Sequence, residues 1–307
     1  MQAVFIDCND QLDGVWARVH SPGDPPIALN TKPFQPEDLP HLLQGHEICL
    51  DDHTYVPTEV AAKCSTLKHI VFLGTGAASY MNVEELADLG ITVHTIKGYG
   101  DTAVAEHTVA LMLACARDLA GMDRRIRAGV WSPREGMQLQ GKTLGLIGLG
   151  GIGLEVARIA GGIGMEVLAW NRTPRLEAGI PLADIDTLLG NSDVVSLHLA
   201  LNDETRNFLD AERLARVKPG CILINTARGA LVDEAALIDA LASGRIRHAG
   251  LDVFQQEPLR PGHPLTALDN VTLSAHAAFR TPEASMRLLR RAIDIVRKIV
   301  NTPHRGL

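Results

Sequence analysis

An α/β fold with two doubly wound parallel sheets is predicted for this chain, on three observations. Short apolar runs alternate with helical patterns through the first hundred residues, and strand–helix alternation implies a parallel sheet. Near the middle an apolar run, Thr143–Ile147, passes through a glycine-rich turn into a helical pattern. Beyond that turn, apolar runs and helical stretches recur often enough to complete a second sheet.

In the first hundred residues, Ala3–Ile6, Ile48–Leu50, Ile70–Leu73 and Thr92–Ile96 are predicted strands. Glu37–Leu43, Thr58–Cys64 and Val83–Leu89 are predicted helices. The segment Gly74-Thr75-Gly76-Ala77-Ala78-Ser79 follows the third strand, where open α/β sheets place ligands. Its amides suit an anion nest with Thr75 and Ser79 as further donors; an ordinary glycine turn fits the same residues. After a break at Gly98–Asp101, one long helix is expected over Thr102–Gly121, with Ala103, Val104, His107, Ala110, Leu111 and Ala114 at helical spacing. Glu106 and His107 lie side by side on it. Adjacent helical residues do not face each other, so the pair is read as structural. Trp131 to Gln140 reads as an irregular arm.

The central turn carries Gly148, Gly150 and Gly153 on the G-x-G-x-x-G spacing. The first glycine permits a tight bend, the second lets backbone approach a pyrophosphate, and the third lets helix pack on strand. The helix N-terminus adds free N–H groups and a positive dipole. Ile152, Val156, Ile159 and Ala160 make one helical face, and a second strand is expected at Glu166–Trp170. In this context the turn is a dinucleotide site. Further along come a short helix at Asp186–Leu189, strands at Val194–Leu199 and Cys221–Asn225, and a helix at Glu234–Ala242. Strands Ala249–Val253 and Val271–Ser274 follow, then a last helix, Glu283–Val300, and a frayed end at Asn301–Leu307.

Three polar residues stand just past strand ends: Arg228, Glu257 and His276. A guanidinium, a carboxylate and an imidazole are what the reduction of a 2-oxo acid needs. The guanidinium grips the substrate carboxylate in a fork and polarises the carbonyl. The imidazolium delivers a proton as hydride reaches carbon, and the carboxylate holds the ring and favours its charged form.

Composition permits this and excludes other classes. The chain has 307 residues, enough for about two domains. Its 46% hydrophobic content suits a soluble globular protein, and a net charge of -7 offers no basic footprint for nucleic acid. Five cysteines (Cys8, Cys49, Cys64, Cys115 and Cys221) show no paired spacing, and Met1–Asp10 does not read as a signal peptide. They are expected to be reduced, mostly buried thiols in a cytoplasmic protein. No membrane span and no metal site are expected.

The chain resembles the D-2-hydroxyacid dehydrogenase family from Ala3 to about Val300. The resemblance rests on Ala103-Val104-Ala105-Glu106-His107-Thr108, on Gly148–Gly153, and on Asp193-Val194-Val195-Ser196-Leu197-His198-Leu199. It rests also on Lys218–Gly229, Leu251–Pro258 and Ser274-Ala275-His276. It implies a Rossmann dinucleotide-binding domain over residues 97–280, inserted in a flavodoxin-like substrate domain of residues 1–96 and 281–307. It implies His276 as acid/base, Glu257 as its partner and Arg228 on the substrate carboxylate. Substrate contacts would come from Gly74, Thr75, Gly76 and Ala77 as well as Arg228. Cofactor contacts would come from Gly148, Gly150, Gly151, Ile152 and Gly153, from Asn171, Arg172 and Thr173, and from His198, Thr226, Ala227, Arg228, Asp252 and His276. Of these, Asp252 would face the nicotinamide carboxamide. Homodimers through the helix at 103–121 and the arm after it are usual in the family.

Two departures qualify the resemblance. After His276 the chain reads Ala277-Ala278-Phe279, and Phe279 would line the substrate pocket. At the end of the second strand, Asn171 stands where NAD-dependent members commonly carry an acidic residue; Arg172 and Thr173 follow, so NADP(H) is favoured over NAD(H). The expected activity is reduction of a small 2-oxo acid such as glyoxylate or hydroxypyruvate. Alternatives on the same fold are oxidation of a small anion such as phosphite or formate, and a non-enzymatic nucleotide-sensing corepressor.

Overall fold

The computed structural model describes residues 1–173 and 179–302. The expected fraying of Asn301–Leu307 therefore lies, beyond residue 302, outside the described residues. The chain divides into two compact units: Met1–Gly100 with Arg280–Leu307, and Asp101–Phe279.

The first unit is built on five parallel strands: β1 (Ala3–Phe5), β2 (Ile27–Leu29), β3 (Ile48–Asp51), β4 (His69–Phe72) and β5 (Thr92–Thr95). Their order is β2-β1-β3-β4-β5, with Ala3 opposite both Ile27 and Ile48. Successive side chains point to opposite faces, and both faces are covered, so the strands read as continuous apolar runs. On one face Val4, Cys49, Ile70 and Phe72 meet Leu39, Val60 and Leu86 from the short helices α2 (Leu39–Leu42), α3 (Thr58–Ala61) and α4 (Val83–Asp88). On the other, Phe5, Leu50 and Val71 meet Leu288, Leu289, Ala292, Ile293 and Val296 of the last helix, Pro282–Asn301. That helix starts sharply: Pro282 occupies its first turn, and the Thr281 hydroxyl accepts from Ala284 N–H. The buried Asp24 carboxylate holds it to the loop before β2, accepting from Arg290 at 2.8 Å and from Arg297. The Arg290 hydrogen bonds keep the Asp24 carboxyl well below the usual carboxylate range.

Two elements of this unit lie beyond the sequence reading. Of the described side chains on helix α1 (Asp10–Val19), only Leu12 and Trp16 are fully buried, and the exposed Asp13, Gly14 and Arg18 dilute its pattern. Strand β2 is three residues long and follows two prolines. The helix expected over Glu37–Leu43 is a 3₁₀ turn, Pro36–Asp38, running into α2.

The second unit has six parallel strands: β6 (Thr143–Ile147), β7 (Glu166–Trp170), β8 (Val194–Leu197), β9 (Cys221–Asn225), β10 (Ile246–Leu251) and β11 (Val271–Leu273). The order is β11-β10-β9-β8-β6-β7, so the chain reverses its winding at β6. The crevice past the ends of β6 and β8 is where such a sheet takes a ligand. The single helix expected over Thr102–Gly121 is two: α5 (Asp101–Arg117) and α6 (Leu119–Arg127). Asp118 between them is left-handed (φ 49°), and Arg125 from the next two turns clamps its carboxylate at 2.6 Å. No glycine or proline marks the break, so local pattern runs straight through it. Helix α7 (Gly151–Gly162) follows β6. Helices at Ala211–Arg216 and Pro264–Ala267 are further additions.

All five cysteines are buried, and burial pushes the Cys8, Cys115 and Cys221 thiols up to about 12. Among the described residues no helix is long and apolar enough to cross a membrane. Nor, among them, do three His, Cys, Asp or Glu residues converge as a metal site.

Candidate active site

The glycine turn after β6 requires glycine at two of its positions, 148 and 153. Gly148 has φ +105°, and a Cβ there would lie 2.6 Å from the His198 carbonyl oxygen. A Cβ on Gly153 would lie 2.3 Å from the Gly148 carbonyl oxygen, so α7 packs on the turn only because residue 153 is glycine. Gly150 caps α7 and a Cβ there would meet nothing within 4 Å, leaving an open approach to the helix N-terminus. Gly151 begins α7 under the Asp101 carboxylate, and Ile152 beside it is half-buried. A close-approach cradle at the positive end of a helix fits a pyrophosphate.

At the end of β7, Asn171 braces this turn: its Oδ1 accepts from Leu149 N–H at 2.9 Å, and its Nδ2 donates to the Thr173 carbonyl. Arg172 is exposed and ion-paired at 2.6 Å with Glu204, from the loop after β8. Glu204 escaped the sequence reading because an acidic residue in the polar run Asn202-Asp203-Glu204 looks like solvated surface.

His198, at the end of β8, is half-buried, with Nε2 2.9 Å from Ser196 Oγ. Burial pushes its imidazole down to about 4, so it is neutral near pH 7. Thr226 is buried and its hydroxyl bonds Thr108 of α5 at 2.8 Å. Ala227 is half-buried, its N–H donating to Asn225 Oδ1 at 3.0 Å.

Arg228, Glu257 and His276 all belong to the second unit. His276 Nδ1 is 2.6 Å from Glu257 Oε2, and Phe254 N–H donates to Glu257 Oε1 at 2.9 Å. Burial raises the Glu257 carboxyl, but bonds from His276 and the Phe254 amide, with the Arg228 charge nearby, outweigh it and leave the group below its ordinary value. Glu257 is therefore ionised and fixes the proton of His276 on Nδ1. The loop carrying Arg228 is held from both sides. Asn225 Nδ2 donates to the Arg228 carbonyl at 2.9 Å, and a Cβ on Gly229 would fall 1.9 Å from the Phe254 carbonyl carbon. Backbone thus lies on backbone where the Arg228 and Glu257 loops meet. The guanidinium donates to the Ala227 carbonyl at 2.6 Å, with donors to spare. Phe279 stands edge-on to His276, ring centroids 6.3 Å apart.

Asp252 is fully buried. One carboxylate oxygen accepts from Ser274 Oγ at 2.6 Å and Ala277 N–H at 3.0 Å, the other from Ala278 N–H at 2.9 Å. Since the Ser274 hydrogen goes to Asp252, His107 Nε2–H, 3.0 Å from Ser274 Oγ, is the donor there. His107 thus joins the network that shapes the loop where His276 adopts φ 48°. A direct contact between Asp252 and a nicotinamide would require the buried carboxylate to be uncovered. Burial raises the Asp252 carboxyl, but the bonds from His107, Ser274 and the two amides bring it down to about 2. A depressed carboxyl stabilises the fold above its unfolded value near 4 and loses that contribution as pH falls through about 2. Asp252→Asn is expected to destabilise by about 2 kcal/mol at pH 6, with the gap from wild type closing toward pH 2.5. Urea unfolding at several pH values checks this; a gap independent of pH would refute the bracing role.

In the first unit, the segment after β4 forms a 3₁₀ turn, Ala77–Ser79. Gly74 N–H donates to the Phe72 carbonyl and Ser79 N–H to the Gly76 carbonyl. Thr75 and Ser79 are exposed, Gly76 is half-buried and Ala77 is buried.

Residues 109–278 match the family model for "D-isomer specific 2-hydroxyacid dehydrogenase, NAD binding domain". A D-3-phosphoglycerate dehydrogenase of Archaeoglobus fulgidus is 37% identical over 84% of this chain, which spans about half (50%) of that relative's length. A hydroxypyruvate reductase of Thermotoga maritima is 38% identical over 80% of this chain and 81% of its own. A crystal structure of a protein from Thermus thermophilus superposes with a TM-score of 0.85 at 34% identity, covering 98% of this chain and 97% of that one.

Proposed function

The chain belongs to the D-isomer specific 2-hydroxyacid dehydrogenase family, and from that premise we propose that it reduces a small 2-oxo acid of the glyoxylate or hydroxypyruvate type to the D-2-hydroxy acid, with NADPH preferred to NADH. The observation that carries the reading is the Glu257–His276 pair, with the Arg228 loop packed against it. A bound nicotinamide cofactor supplies the hydride that reaches the carbonyl carbon. His276 donates its Nε2 proton to the carbonyl oxygen as that charge develops. Glu257 holds the ring through Nδ1 and stabilises the imidazolium before transfer. Arg228 grips the substrate carboxylate in a two-pronged fork and polarises the neighbouring carbonyl. Phe279, edge-on to His276, limits the substrate side chain. The hydroxypyruvate reductase among the relatives supports the substrate class.

The proposal includes a homodimer. Leu119, Ile126, Val130 and Trp131, on α6 and the arm after it, are 52%, 57%, 49% and 84% exposed, an apolar set that suits a partner copy.

For the cofactor, the neutral Asn171 and the adjacent Arg172 support NADPH. A carboxylate at the strand end binds ribose hydroxyls and repels a 2′-phosphate, whereas a guanidinium attracts one. A charge-assisted bond of about 1.5–3 kcal/mol, offset in part by the Glu204 pair, predicts a preference of about tenfold in kcat/KM. Asn171→Asp should cut the ratio at least tenfold. The check is kcat/KM for both cofactors with one oxo acid; a wild-type preference for NADH would overturn the cofactor assignment.

A further inference from the structure

Arg172 does not stand alone at the end of β7. The Glu204 carboxylate lies 2.6 Å from its guanidinium, and the loop that carries Glu204 is well held. Asn202 N–H donates to Thr205 Oγ1 at 2.8 Å while Thr205 N–H returns a bond to Asn202 Oδ1 at 3.0 Å. The Thr205 hydroxyl donates to the Ala200 carbonyl at 2.7 Å. Phe208, three residues on, packs its ring 5.0 Å from that of Trp170, the last residue of β7. The loop is therefore anchored against the very strand end that presents Asn171 and Arg172.

We infer that Glu204 limits the NADPH preference of this site by pairing with the Arg172 guanidinium that a 2′-phosphate would use. The inference rests on the nicotinamide reading proposed above and refines its cofactor side. Glu204 occupies the guanidinium that a 2′-phosphate would use, and sits close enough to repel that phosphate. With an unphosphorylated ribose nothing competes for Arg172, and the carboxylate is available to accept from the ribose hydroxyls. The NADPH preference due to Arg172 is thereby held down from the surface of a neighbouring loop.

The test is Glu204→Gln, an exposed substitution that leaves the loop's own bonds intact. Binding of 2′,5′-ADP and of 5′-AMP is measured by calorimetry on the full chain, without turnover. Removing an exposed ion pair and a like charge should tighten 2′,5′-ADP by about fivefold, with 5′-AMP unchanged or weaker. Arg172→Ala in the Glu204→Gln background should remove most of the gain, the share that comes from the freed guanidinium. Unchanged 2′,5′-ADP affinity, or equal gains for the two nucleotides, would overturn the role of Glu204 while leaving the nucleotide site standing. If neither nucleotide bound the wild type, the nicotinamide reading would fall, and this inference with it.

Discussion

His276→Ala is expected to lose about 10²–10⁴ in kcat for 2-oxo acid reduction while retaining its fold. The imidazole's bonded partner is Glu257, at a loop whose shape is set by Asp252 rather than by the ring. The loss therefore reports the proton. Reduction consumes one at His276 and oxidation of the hydroxy acid returns one there, so the variant should be impaired in both directions. Glu257→Gln keeps the shape but removes the charge that holds the ring, so it should lower kcat by less than His276→Ala does. Near-wild-type turnover in His276→Ala would remove the acid/base assignment.

Arg228→Ala is expected to weaken binding of the oxo acid and of oxalate, a substrate mimic, by about 10–150-fold, the equivalent of about 1.5–3 kcal/mol for a charge-assisted fork. The loop is pinned by Asn225 beneath and by the Phe254 backbone against Gly229, so removing the side chain should not release it. Arg228→Lys should recover only part of the loss, because an ammonium cannot make two parallel bonds to a carboxylate. KM for glyoxylate and Ki for oxalate check this, with unfolding stability as the control. Oxalate binding within threefold of wild type would show that the carboxylate is held elsewhere.

Much of the second unit is legible in the chain because its logic is local. β6, the glycine turn and α7 follow from apolar periodicity and from spacing within a dozen residues. β9 and the helix Glu234–Ala242 match the expected bounds residue for residue, the latter because Asp233 caps it with a bond to Ala236 N–H. The break at Asp118 leaves no such mark. An aspartate takes a left-handed conformation there because Arg125 reaches back to it, and only the folded helix pair shows that contact.

Side-chain chemistry divides along the same line. Arg228, Glu257 and His276 stand out in the sequence because each is polar and just past an apolar strand, where a parallel sheet presents its ligands. Glu204, Ser274 and the burial of Asp252 carry no comparable signal: each matters through a partner tens of residues away. Residue order alone is enough to specify two parallel sheets, a dinucleotide turn after β6, and three candidates for the chemistry. Those properties are set by periodicity and by backbone requirements that neighbouring residues impose on one another. Three further facts belong to the folded molecule: Glu257 and His276 meet at 2.6 Å, Asp252 braces the His276 loop from inside, and Arg172 is paired with Glu204. Ion pairs and buried hydrogen bonds depend on distance and desolvation, and both are fixed only when strands far apart in the chain come to lie side by side.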